Sequence, residues 1–324
     1  MRGHFQTTVF FILLFCFGIA EAGQVDARTL RAQEKEVFES GDALMDILIA
    51  AAGRDMTCEG CRVEFQRTLA TVMDTRVRHR SAVSETESDP TAGSQKKATM
   101  RFEAARTAGT VYTELRRRIP EANAGLCGKC PPPNDKARLA ALKKEFGDSR
   151  GSIVASALAD SLRMLRKAST ALQRRYYDPT FGRAVDVTFQ KWMAKPTNDN
   201  IRFAASCTDG ILASLLRKSL DPGTYFCDPL KSGDPEVAEW GRDPNAAAFV
   251  VYGLEEIFLT PLFFTPQAWP SVFVHEESHL LYDATDRGEQ RIRRGGMKPP
   301  RSKGTATLLD AYSIQSLVEE LAKL

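Results

Sequence analysis

The chain has 324 residues, 43% of them hydrophobic and 26% charged, with a formal net charge of +3. That apolar share can fill sizeable cores, and the length suggests two domains once a leader is set aside. So small a charge, carried by scattered basic residues, argues against nucleic-acid binding. The Arg116-Arg117-Arg118 run and the arginines at 291, 293 and 294 read as solvated faces.

Residues 1–22 carry the pattern of a secretory signal peptide. Arg2 and His4 precede an apolar run, Val9 to Ala20, and Ala20-Glu21-Ala22 forms an A-x-A cleavage site. The run is too short to span a membrane as a stable helix. Phe15 stands before Cys16 where a lipoprotein signal needs a small residue, which argues against lipidation. No later stretch is apolar enough to cross a bilayer. The mature chain is therefore expected to be secreted or periplasmic, with no stable membrane span.

Helical periodicity follows over 27–52, 62–82, 99–119 and 135–147, in segments rich in Ala, Leu, Glu and Arg. The polar stretch 83–98 reads as a loop. Without Cys16, six cysteines remain, an even number in an oxidising compartment. Four form two boxes, Cys58-x-x-Cys61 and Cys127-x-x-Cys130, at the first and third inter-helix junctions. In an up-down bundle both junctions lie at one end, so the boxes are expected to meet. They suit structural disulfides, which export favours, or a four-cysteine zinc site. A redox pair fits poorly because no βαβ pattern surrounds either box.

Further helices are predicted at 151–175 and 183–195, with breaks at Tyr176-Tyr177-Asp178-Pro179 and Pro196-Thr197-Asn198-Asp199. A boundary near 196 leaves 23–195 as a helical bundle domain and 196–324 as a second domain. Cys207 and Cys227 flank a helix-like stretch there and are expected to pair. The runs 248–252 and 257–264 read as paired strands, with Pro261 confining the second to a sheet edge. From Ser271 to Asp283 the pattern is helical, burying Phe273, Val274, Leu280 and Leu281.

That helix holds His275-Glu276-Glu277-Ser278-His279, an H-E-x-x-H box containing two of the four histidines in the chain. The i, i+4 spacing puts both imidazoles on one helix face, where they can share a zinc ion. Glu276 can then act as the general base toward a water. Glu277 and Ser278 face away, as helix surface and packing respectively. Strands followed by such a helix form the arrangement expected of a zincin protease core.

A catalytic zinc needs a third protein ligand. No histidine follows His279, so a carboxylate is expected, from Asp283, Asp286, Glu289, Asp310, Glu319 and Glu320. Asp283 and Asp286 lie so near the box that the chain would have to fold back sharply. Glu319 and Glu320 would suit a gluzincin. Asp310-Ala311-Tyr312 opens a helix, and an aspartate there would also suit the partial positive charge of a helix start.

Over about residues 199–324, the box together with Asp310-Ala311-Tyr312-Ser313 resembles the deuterolysin-like and peptidyl-lysine metalloendopeptidases, the aspzincins. The resemblance implies Asp310 as third ligand beside His275 and His279. Leu308-Leu309 stand where the family has N-A, and Thr285-Asp286-Arg287-Gly288 is followed by no tyrosine where the family has G-T-x-D-x-x-Y-G. Tyr282, Tyr312, Arg287 and Arg291 are the candidate substitutes for that tyrosine.

The expected fold is α+β, mainly α: an N-terminal helical bundle followed by a zincin-like metalloprotease domain. The expected function is an exported Zn2+-dependent endopeptidase acting on a protein or peptide substrate. The competing reading is a catalytically degenerate envelope protein whose bundle contacts a partner. A bundle that inhibits or targets the protease half is a third.

Overall fold

The computed structural model describes residues 25–52, 59–89, 91–119, 135–251, 253–265, 270–286 and 310–324. The leader at 1–22, Cys58, Cys127, Cys130, Glu289, Arg287 and Arg291 lie outside these residues, and so does any meeting of the two cysteine boxes. Cys61 is buried at 7% exposure in the first turn of the second helix. The fold is mainly helical with one small sheet, in keeping with α+β, mainly α.

Helix α1, Ala27–Ala52, starts where the Asp26 carboxylate accepts the backbone N–H groups of Arg28 and Thr29 at 2.7 and 2.9 Å. Its stripe of Leu30, Val37, Phe38, Leu44, Met45 and Leu48 recurs at three- and four-residue spacing and is buried. Helices α2, Glu59–Ser88, and α3, Ser94–Arg118, pack on it and on each other. The expected loop over 83–98 is mostly helix. Val83, Ser84 and Thr86 are buried, and the Thr86 hydroxyl donates to the Ala82 carbonyl at 2.6 Å. A polar run stays helical here because one side of it is buried against the rest of the fold.

Helices α4, Asp135–Phe146, and α5, Asp148–Arg174, meet at Gly147, whose φ of 85° turns the chain. The Asp178 carboxylate caps α6, Pro179–Trp192, and the Thr197 hydroxyl caps α7, Asn198–Lys218. Both expected breaks are thus helix starts. Helix α5 buries residues round more than one face, from Val154 and Leu158 to Ser169 and Leu172. It meets α1 as well as α7 and the two last helices. Apolar side chains on both sides of position 195, from Val37 to Leu321, accordingly form one continuous core. A sequence boundary near 196 does not interrupt it.

Inside that core lies a buried ionic cluster. Arg76 of α2 reaches Asp42 at 3.1 Å, Asp209 of α7 at 3.4 Å and the Ser169 hydroxyl at 2.7 Å. Arg80, fully buried, also pairs with Asp209. Burial works to raise the Asp209 carboxyl pKa, but the two guanidinium groups bring it down to about 2.

After the short helix α8, Pro222–Tyr225, come β1, Phe226–Cys227, helix α9, Pro235–Trp240, and strands β2, Ala248–Val250, and β3, Ile257–Leu259. The sheet order is β1-β3-β2. β3 runs parallel to β1 and antiparallel to β2, with Phe249 opposite Phe258. β3 is therefore central, not an edge. Pro261 starts a 3-10 turn over Pro261–Phe264, capped by the Thr260 hydroxyl, so the strand ends before proline would cost a ladder bond.

Cys207 and Cys227 do not pair in this structure; both thiols are free. About 16 Å of helix separates Cys207 from the end of α7 at Lys218, and the Cys227 thiol at the end of β1 donates to the Thr224 carbonyl at 3.5 Å. Burial pushes the two thiols up to about 12 and about 11 respectively. Helices α10, Pro270–Tyr282, and α11, Ala311–Leu321, complete the fold and pack together. Among the described residues no helix is long and apolar enough to cross a membrane.

Candidate metal centre

Helix α10 is held from several sides. Its residues Ser271 to Ser278 are all buried. At its start Ser161 of α5 donates to the Pro270 carbonyl at 2.5 Å, and Gln315 of α11 donates to the Ser271 hydroxyl at 2.9 Å. The expected core residues Phe273 and Val274 are fully buried, whereas Leu281 is 38% exposed. Glu277 is not on the helix surface. It has no exposed area and pairs with Lys218, from the last turn of α7. Burial raises its carboxyl pKa and the lysine opposes that rise. Ser278 does pack, donating to the His275 carbonyl at 2.7 Å.

The helical spacing brings His275 Nε2 and His279 Nε2 to 3.2 Å. Each lies 3.1 Å from one carboxylate oxygen, Asp286 Oδ1. That oxygen is buried and accepts no hydrogen bond of good geometry. His279 Nδ1 sits 2.6 Å from the Ala284 carbonyl. A carbonyl can only accept, so the ring donates from Nδ1, and in the neutral imidazole that leaves the Nε2 lone pair facing His275 and Asp286.

This donor set fits zinc. A tetrahedral ion with ligands at ~2.0–2.1 Å holds them about 3.3 Å apart, close to the observed triangle. His275, His279 and Asp286 would hold such an ion, which would supply Lewis acidity there. The cluster favours positive charge in any case. Burial works against a charged His279, but Asp286, the Glu276 charge and the Ala284 carbonyl raise its pKa to about 9. Burial works to raise the Asp286 carboxyl, yet the two imidazoles hold it well below the usual carboxylate range.

Asp286 reaches the histidines through the reversal that looked too sharp from the sequence. Asp283 has a φ of 50°. Its N–H bonds to the His279 carbonyl at 3.1 Å, and the Ala284 N–H reaches the Ser278 carbonyl at 3.3 Å. Aspartate is among the few residues that tolerate this left-handed conformation, and its place just after a helix was the available signal. Thr285 then pairs with Asp310 in a parallel bridge, and Ala311 N–H donates to the Thr285 carbonyl at 3.1 Å.

Asp310 is thus beside the centre, 5% exposed, but it serves as the cap of α11: its Oδ1 accepts the Ser313 N–H at 2.9 Å. Among the described residues, the histidine, cysteine and acidic groups whose ligand atoms converge are His275, His279 and Asp286. Glu320 pairs instead with Lys191 at 2.8 Å, and Glu319 accepts from Gln315 at 3.1 Å. Glu276 is buried, at 6% exposure, next to the first histidine. Of the tyrosines considered, Tyr282 turns its hydroxyl to the Ser206 and Cys207 carbonyls of α7 at 3.3 and 3.4 Å. Tyr312 packs its ring edge-to-face on His275, with centroids 4.3 Å apart.

No family model, no curated protein and no solved structure matches this chain. The site alone carries the functional reading.

Proposed function

We propose that this chain is an exported zinc-dependent endopeptidase of zincin type, with His275, His279 and a carboxylate as ligands. The observation that carries the proposal is the convergence of both Nε2 atoms of an H-E-x-x-H box on one buried carboxylate oxygen. That convergence favours Asp286 as the third ligand over Asp310, whose Oδ1 is occupied in capping α11. The leader pattern at 1–22 supports export.

When bound, zinc supplies Lewis acidity that polarises a peptide carbonyl and makes a water more acidic. Glu276 is the general base: its carboxylate takes the proton of the attacking water and returns it to the departing amine nitrogen. Ala284 keeps His279 in the required tautomer through Nδ1. Tyr312 packs against the His275 ring and limits its rotation.

The test is Glu276→Gln, assayed for zinc content and for hydrolysis of denatured casein. The variant should keep its zinc and lose hydrolysis by at least ~100-fold, as expected for removal of a general base. Zinc bound by a wild-type protein that cleaves nothing would instead favour a structural metal site in a binding protein.

A further inference from the structure

We propose that Lys218 and Glu277 form a positioning pair, an ion pair buried behind the active-site helix that sets where its metal ligands stand. The proposal rests on the metal-site reading above and adds to it two residues that touch neither metal nor substrate.

On α10, Glu277 follows His275 by two residues and precedes His279 by two. At about 100° per residue it points to the face opposite both imidazoles. A carboxylate on that face would normally be solvated, yet Glu277 is 0% exposed. Its partner, Lys218, is 6% exposed and contributes the Nζ that pairs with Glu277 Oε1. The Tyr225 ring lies 5.9 Å from the same Nζ.

Hydrogen bonds hold α10 at its two ends, from Ser161 and Gln315 at the start and from Tyr282 at the finish, while between them its side chains Phe273 and Val274 are packed in the apolar core. Hydrophobic contact is non-directional and leaves a helix some freedom to slide or turn. A metal centre needs its ligands within ~0.5 Å and 10–20° of the working geometry. An ion pair is directional, and this one joins α10 to the end of α7. Near its middle, α7 is locked to α2 by Asp209 with Arg76 and Arg80. The rotational setting of the two histidines is thereby referred to a rigid part of the core.

The experiment compares Lys218→Met, Glu277→Gln and the double variant Lys218→Met/Glu277→Leu. Zinc affinity is measured by competition with a chelator, stability by thermal melting and α10 mobility by amide hydrogen exchange. Each single variant should bind zinc ~10–100-fold more weakly, the range for loss of groups that orient metal ligands. The double variant should regain melting temperature, because an apolar pair can replace a buried ion pair without loss of stability. Its zinc affinity should stay low, since the replacement restores no direction. Wild-type zinc affinity in the single variants overturns the proposal, and so does a double variant that recovers affinity along with stability. Should the wild type bind no zinc, the proposed function fails by itself. The exchange data then decide: selective loss of protection in α10, persisting in the double variant, supports the pair, and unchanged protection overturns it.

Discussion

The proposed metal centre turns on Asp286, and Asp286→Ala tests it directly. The three donor atoms form a triangle with sides of 3.1, 3.1 and 3.2 Å, and the substitution removes one corner. Zinc sites of four protein ligands bind with ~10–16 kcal/mol, so one ligand contributes about 3 kcal/mol, or on the order of 100–1,000-fold in affinity. Asp310→Asn is the control. Asparagine caps a helix about as well as aspartate, so α11 should keep its start while a carboxylate is lost. Zinc competition titrations at fixed pH should therefore show a large loss for Asp286→Ala and less than ~10-fold for Asp310→Asn. The same titrations on Glu319→Ala and Glu320→Ala should match wild type. Zinc retained by Asp286→Ala but lost by Asp310→Asn would refute the argument and give the third position to Asp310, the residue the family resemblance implies.

Two further predictions concern the scaffold. His79 of α2 is 3% exposed, and burial, with Arg80 and Arg101 nearby, lowers its pKa to about 4 from an ordinary value of 6.5. Above pH 6.5 the ring is neutral in both folded and unfolded chains; between pH 6.5 and 4 only the unfolded chain takes the proton. Folding stability should thus fall across that window by on the order of 3 kcal/mol from this group. Urea unfolding of wild type and His79→Leu should show a gap that is constant above pH 6.5 and shifts below it, whereas parallel curves down to pH 4 would refute the assignment. Asp209→Ala leaves Arg76 and Arg80 buried without their shared carboxylate and should cost about 3–5 kcal/mol in the same measurement. A cost under ~1 kcal/mol would mean that the cluster is relieved by water or by movement of the arginines.

What could be read along the chain is what depends on near neighbours. The bounds of α1 follow from the Asp26 cap and a three-and-four apolar spacing, and the H-E-x-x-H box places two imidazoles on one helix face whatever surrounds it. Ile314, Leu317, Val318 and Leu321 likewise recur at three- and four-residue spacing along the last helix, and all are buried. The failures involve partners distant in sequence. Residues 83–88 looked like a loop because their polar composition says nothing of the fold around them. Glu277 looked solvated because its lysine comes from another helix, and Cys207 and Cys227 looked pairable because spacing in sequence ignores the rigid helix between them.

By itself the sequence determined most of the helices and put His275, Glu276 and His279 together on one of them, since each follows from spacing and local hydrogen-bonding preference. The tertiary structure decided which carboxylate faces the histidines and that the bundle and the site share one core. The physical reason is that one positive φ at Asp283 redirects the whole following chain, and burial depends on which surfaces meet after that turn.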